Sequence, residues 1–107
     1  DLASFQSSGW NISSRVLGTS PGRPYFTNFI PTNVNIANGS LLLTCSAYNA
    51  ITSSVPSAQI KTSRADILYG SFRAQFEVRS ASTGSGAVSA FFFYADDYSE
   101  VDIEVLT

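Results

Sequence analysis

Apolar and polar residues alternate most regularly between residues 69 and 80. Phe72, Ala74, Phe76 and Val78 fall on one side of an extended chain; Arg73, Gln75, Glu77 and Arg79 fall on the other. A period of two predicts a strand with one face in a core and one in water. A small-residue loop is expected over 82–86. Residues 87–95 are apolar on both faces, which predicts a strand covered from both sides. Asp96-Asp97 marks a turn, and residues 98–106 predict the next strand. There Val101, Ile103 and Val105 alternate with Glu100, Asp102 and Glu104.

The first half of the chain is less regular. Gly9, Gly18, Pro21-Gly22, Pro24 and Pro31 break it often enough that residues 1–33 predict irregular structure with short strands at most. Asn38-Gly39 is a hairpin signal between strand segments 34–36 and 40–46. Residues 49–57 predict a polar loop, 57–63 a strand, and 64–68 an irregular link. No segment carries a helical period, so the pattern predicts an all-β chain without helices. With no repeat and no linker, residues 1–107 read as belonging to one domain.

Composition narrows the function. Charged residues make up 13% of the chain, about half the usual share, and 18 Ser and 8 Thr supply the missing polarity. The net charge is −2, with a single lysine and no basic run. Nucleic acid and anionic membrane surfaces are therefore not expected as partners, since both require clustered cations. No apolar run approaches the ~20 residues of a membrane-spanning helix. The chain has no histidine, which excludes His-based triads, zinc sites and proton shuttles. Cys45 stands alone and is expected to act as a small buried apolar side chain, the alternative being a partner in another chain or segment. Asn11-Ile12-Ser13 and Asn38-Gly39-Ser40 both match the N-glycosylation acceptor pattern. With the high Ser/Thr content, they point to a secreted protein, with Asp1 following a removed leader.

The candidate chemistry lies in residues 100–104. Three of the eight acids occupy alternate positions of one predicted strand and so share a face. Like charges on neighbouring same-face positions repel, and a merely solubilising face would alternate sign. Two bland readings compete with a catalytic one: an acidic face that deters edge pairing, and an oxygen-rich calcium site. The catalytic reading is a glycosidase pair. At ~3.3 Å per residue the Cα atoms of Glu100 and Glu104 are ~13 Å apart. Converging side chains close the carboxyl gap to roughly 5–6 Å, near the spacing of retaining rather than inverting glycosidases. Asp102 between them raises the cost of ionising all three, which favours one protonated and one ionised Glu.

Glu100-Val101-Asp102-Ile103-Glu104 resembles the E-x-D-x-E signature of the family 16 glycoside hydrolases, the group of lichenases, laminarinases and fungal wall transglycosylases. Three upstream segments agree in order: Asn33-Val34 with Asn38-Gly39-Ser40-Leu41-Leu42-Leu43, then Tyr69-Gly70-Ser71-Phe72, then residues 86–94. The resemblance covers roughly residues 33–107. It implies an antiparallel β-sandwich of the jelly-roll, concanavalin A-like type, here as the N-terminal half ending just after the catalytic strand. It implies Glu100 as nucleophile, Glu104 as acid/base and Asp102 as electrostatic helper, and an acid spacing like that of the regular-strand branch with the lichenases. Phe92 and Tyr94 are then expected to face the sugar cleft, with Phe91 and Phe93 in the core. Aromatic faces suit the apolar C–H faces of sugars.

Tyr98-Ser99 stands where lichenases usually carry Trp-Asp, leaving Tyr98 as a candidate platform. Gln59 and Lys61 stand where lichenases carry Glu and Arg; hydrogen bonding and positive charge persist while the charge pattern differs. The implied function is a retaining endo-glycosidase acting on β-1,3 or β-1,3-1,4 glucan. A wall transglycosylase of the same family and a non-catalytic lectin-like sandwich are the alternatives, and a structural wall or coat protein with an acidic strand is a third. The implied partners are a polysaccharide and the C-terminal half of the domain, without which the 107-residue chain is expected to be inactive. No cofactor is expected; beyond the acidic row, nothing in the sequence indicates a structural calcium ion.

Overall fold

In the computed structural model, residues 1–79 and 86–107 are described. They divide into two compact units, Asp1–Leu68 and Tyr69–Thr107. Strands dominate both, so the chain is all-β, as a fragment of a β-sandwich requires.

The first unit opens with a helix, α1 (Leu2–Ser7), where no helix was expected. Six residues show too little of a 3.6-residue period to be read from sequence, and a helix this short is unstable alone. It is held at both ends. The Asp1 carboxylate accepts the Ser4 N–H at 2.8 Å as an N-cap. The Phe5 ring stacks on Trp10 at 5.7 Å between centroids. Gly9, at φ 98°, then turns the chain from α1 into β1 (Trp10–Ile12).

β1 pairs antiparallel with β7 (Ile60–Thr62), Asn11 lying opposite Lys61. β2 (Arg15–Leu17), β3 (Phe26–Phe29) and β6 (Ser54–Ser57) form a second sheet in the order β2-β3-β6. Its β3–β6 pairing is parallel, a departure from the wholly antiparallel expectation. A parallel pair needs a long crossover, and residues 30–53 supply it. That crossover contains the hairpin β4 (Val34–Ala37) and β5 (Ser40–Leu43), joined at Asn38-Gly39 as the sequence predicts. Asn38 at φ 52° and Gly39 at φ 75° are both left-handed, the turn whose twist matches paired strands. The Asn33 side chain donates to the Thr44 carbonyl at 3.0 Å and to Ser46 Oγ at 3.1 Å, closing the hairpin base.

β6 lies inside the segment expected to be a loop. Pro56 obscures it, since proline cannot donate to a ladder; here its carbonyl still accepts the Ser46 N–H at 2.8 Å. Val34 is the one buried apolar side chain among the described residues. Cys45 is exposed rather than buried, with Sγ 3.8 Å from Ser57 Oγ. It flanks β5, whose residues are all exposed, so no packed layer covers it.

The second unit is built on one long hairpin, β8 (Val88–Asp96) and β9 (Ser99–Leu106). Their register runs from Val88 opposite Leu106 to Tyr94 opposite Glu100, with an irregularity between Tyr94 and Asp96. At the open end, Thr107 N–H donates to the Ala87 carbonyl and Gly86 N–H to the Thr107 carbonyl. Two expectations fail here. Residues 69–79 carry no strand despite their alternation, because alternation specifies faces but supplies no ladder partner. What holds them is side-chain contact: the Phe72 ring meets Phe93 edge-on at 4.6 Å. Nor is β8 covered on both sides, since Phe92, Phe93 and Tyr94 are all exposed. Ser80 and most of the loop expected over 82–86 lie outside the described residues.

Candidate active site

β9 carries the acids because its sequence strictly alternates charge with branched aliphatics, and pairing with β8 holds that alternation flat. Cross-strand partners in an antiparallel pair share a face. Glu100 lies opposite Tyr94, Asp102 opposite Phe92 and Glu104 opposite Ala90. One face of the ribbon therefore presents Tyr94, Phe92, Glu100, Asp102 and Glu104 together. The other face pairs Phe93 with Val101, Phe91 with Ile103 and Ser89 with Val105.

The turn between the strands is pinned by two aspartates. The Asp96 carboxylate accepts the Tyr98 N–H at 2.8 Å, while Tyr94 Oη donates to Asp97 Oδ1 at 2.7 Å. The second bond, reinforced by the negative charges of Asp97, Glu100 and Asp96, raises the Tyr94 hydroxyl above its ordinary value, so it stays protonated and able to donate. Asp97 was read from sequence only as a turn residue. Its signal was its place three residues after a tyrosine across a tight turn, which puts a carboxylate within reach of the phenol.

The Glu100 carboxyl is pushed above the usual carboxylate range. Partial loss of hydration on the strand face is the largest cause, although the residue as a whole is exposed. The Asp102 charge and a hydrogen bond to Asp102 follow, with smaller contributions from Asp97 and Glu104. A raised carboxyl holds its proton to higher pH, here beside a row of negative charge.

The remaining candidates are spread over the chain. Tyr98 sits at the hairpin tip and is almost wholly exposed. Gln59 and Lys61 belong to the first unit. Gln59 Oε1 accepts from Ser13 Oγ at 2.9 Å, and its carbonyl accepts the Ser13 N–H at 2.9 Å. Lys61 is exposed on β7 opposite Asn11. Asn11 and Asn38 are both exposed. Among the described residues, no group of three or more His, Cys, Asp or Glu is arranged to hold a metal ion, and no helix is long and apolar enough to cross a membrane.

Compared with known families, residues 23–107 match the model of glycosyl hydrolases family 16. No curated protein and no solved structure matches the chain.

Proposed function

Because the chain belongs to glycosyl hydrolases family 16, we propose that its β8–β9 ribbon carries the reacting groups of a retaining endo-glycosidase acting on β-1,3 or β-1,3-1,4 glucan. The observation that carries this reading is the single ribbon face bearing Glu100, Asp102 and Glu104 beside Phe92 and Tyr94. Glycosidase-type chemistry on polysaccharide is the property of the family; the polymer, the mechanism and the residue roles are proposed.

In the proposed double displacement, Glu100 attacks the anomeric carbon while Glu104 protonates the departing glycosidic oxygen. Glu104 then takes a proton from a water whose oxygen attacks the anomeric carbon, breaking the bond to Glu100 and releasing the sugar. Glu100 must be ionised to attack, yet its carboxyl is raised. Loss of its proton therefore precedes attack, and Asp102 beside it would act as the electrostatic helper. Phe92, Tyr94 and Tyr98 would lie against the sugar C–H faces, and Gln59 and Lys61 would supply donors to sugar hydroxyls. Secretion and N-glycosylation at one of the two acceptor triplets, Asn11 or Asn38, belong to the same proposal. So does completion of the sandwich by further strands as the C-terminal part of the domain. The exposed apolar face of β9 supports that completion.

Substitution tests the roles. Glu100→Ala is expected to abolish glucan turnover and to be rescued by azide, which enters the vacated space as a substitute nucleophile. Glu104→Ala should remain active mainly on substrates with good leaving groups, which need no proton. Proton transfer alone is worth ~10²–10⁴-fold in rate. Near-normal turnover of polymer by both variants would refute the assignment, and first release of the inverted anomer, followed by NMR, would refute retention.

A further inference from the structure

Tyr25 and Tyr48, the two tyrosines of the first unit, are both about half exposed, at 51% and 46%. Their rings nevertheless touch, with centroids 4.7 Å apart and planes tilted by 47°. Backbone bonds to one strand hold them there. Next to Tyr25, Phe26 N–H donates to the Ser53 carbonyl at 3.4 Å, and β3 runs on beside β6. On the other flank, Ser46 N–H donates to the Pro56 carbonyl at 2.8 Å, and Asn49 exchanges bonds of 2.8 and 3.2 Å with Ser54. The Asn49 side chain fixes the following turn by accepting the Ile51 and Thr52 N–H groups. Residues 53 and 57 bond toward β3, while 54 and 56 bond toward 46–49. Alternate residues of a strand bond from opposite edges, so β6 acts as a splint between the two tyrosines.

We propose that Tyr25 and Tyr48 form an oxidative cross-linking site, joined as dityrosine by a peroxidase acting with hydrogen peroxide. Each phenol gives up one electron and one proton, and the peroxide takes up both pairs to become two waters. The two phenoxyl radicals couple through ring carbons ortho to their oxygens, forming one C–C bond. The hydrogens on those carbons move to the oxygens, restoring both phenols, so the protein loses two hydrogen atoms. Exposure alone would favour other tyrosines, since Tyr69 is 93% and Tyr98 99% exposed. Among the described residues of their unit, however, no two tyrosines are in ring contact, and the Tyr94 hydroxyl is engaged by Asp97. A radical on Tyr25 has its partner already at contact, the advantage of any reaction between pre-positioned groups. The bond would close a covalent loop around β3 and the β4–β5 hairpin.

The test is independent of the glycosidase reading. The full chain is treated, dilute, with peroxidase and hydrogen peroxide. It is then digested with chymotrypsin, which cuts at Phe26, Phe29 and the leucines between the two tyrosines. The expected result is dityrosine fluorescence in the monomer fraction and a Tyr25–Tyr48 linked peptide pair lighter by two hydrogens than its separate parts. Tyr25→Phe and Tyr48→Phe should each remove the monomer signal; Tyr69→Phe and Tyr98→Phe should leave it. Repeating the oxidation in urea should erase the preference. Cross-links apportioned by exposure, through Tyr69 and Tyr98, would overturn the proposal. So would oxidation of those tyrosines with no Tyr25–Tyr48 link.

Discussion

The apolar face of β9 is expected to make the 107-residue chain adhesive, and the size of the effect follows from its exposure. Val101 is 66% and Ile103 58% exposed. Burying such a side chain completely is worth ~1.5–3 kcal/mol, so covering the exposed part of both yields about 2–4 kcal/mol. That is a factor of roughly 30–700 in an association constant. β9 also has one strand neighbour, β8, among the described residues, and an unpaired ladder edge templates pairing with another chain. The perturbation is Val101→Thr with Ile103→Thr. Threonine keeps β-branching, and neither position lies on the face of Glu100, Asp102 and Glu104. The unsubstituted chain is expected to bind a hydrophobic dye and to sediment as a concentration-dependent mixture. The double variant should lose most of the dye signal and shift toward monomer by one to three decades of concentration. A monodisperse, dye-silent and cooperatively melting unsubstituted chain would refute the reasoning, and with it the proposal that further strands cover this face.

The remaining predictions address other parts of the molecule. Asp102→Asn removes a negative charge and a hydrogen-bond partner that raise Glu100, so the Glu100 carboxyl should titrate at lower pH by carboxyl-carbon NMR; an unchanged midpoint would rule out the coupling. The sign for stability is fixed: a carboxyl raised in the folded state contributes fully below its unfolded value, and that contribution is lost as pH rises through the folded one. Asp102→Asn should therefore weaken the loss of stability with rising pH, measured by melting at several pH values. Val34→Ala empties a site only 2% exposed and should cost about 2 kcal/mol in urea unfolding, whereas Leu42→Ala on exposed β5 should cost well under half of that. In a glycosylating host the chain should carry sugar at Asn38, and Asn38→Gln should lower its mass by one glycan.

What the sequence made legible was whatever is encoded locally. The β4–β5 turn follows from Asn38-Gly39, where left-handed backbone is cheapest. The β8–β9 hairpin follows from an apolar run and an alternating run on either side of Asp96-Asp97. Its register, which sets Phe92 and Tyr94 on the acid face, is a short-range consequence of that turn. Long-range partnership was not legible. Residues 69–79 alternate as cleanly as any strand, yet alternation does not name a ladder partner. β6 pairs in parallel with a strand 28 residues earlier in register, Phe26 with Ser54, and carries a proline that argued against it. The Glu100–Asp102 coupling was anticipated as a shared cost of charge. That the raised carboxyl would be Glu100 depends on local hydration, which spacing does not report.

The two glycosylation candidates are not equivalent, and the difference bears on the proposed sugar contacts. Asn11 and Lys61 are register partners on β1 and β7, and directly opposed residues have Cβ atoms ~4.5–5.5 Å apart. A glycan on Asn11 is far larger than that gap, so it would cover Lys61, and the lysine would meet the protein's own sugar instead of a substrate. The two roles exclude each other. The acceptor hydroxyl of that triplet points the same way: Ser13 is buried and donates to Gln59 in the folded chain. Modification at Asn11 would have to precede closure of the β1–β7 pair. Asn38 has neither constraint. It stands exposed at a hairpin tip, and Ser40 is exposed beside it. Asn38 is no register partner of Lys61, so it is the acceptor compatible with the proposed function.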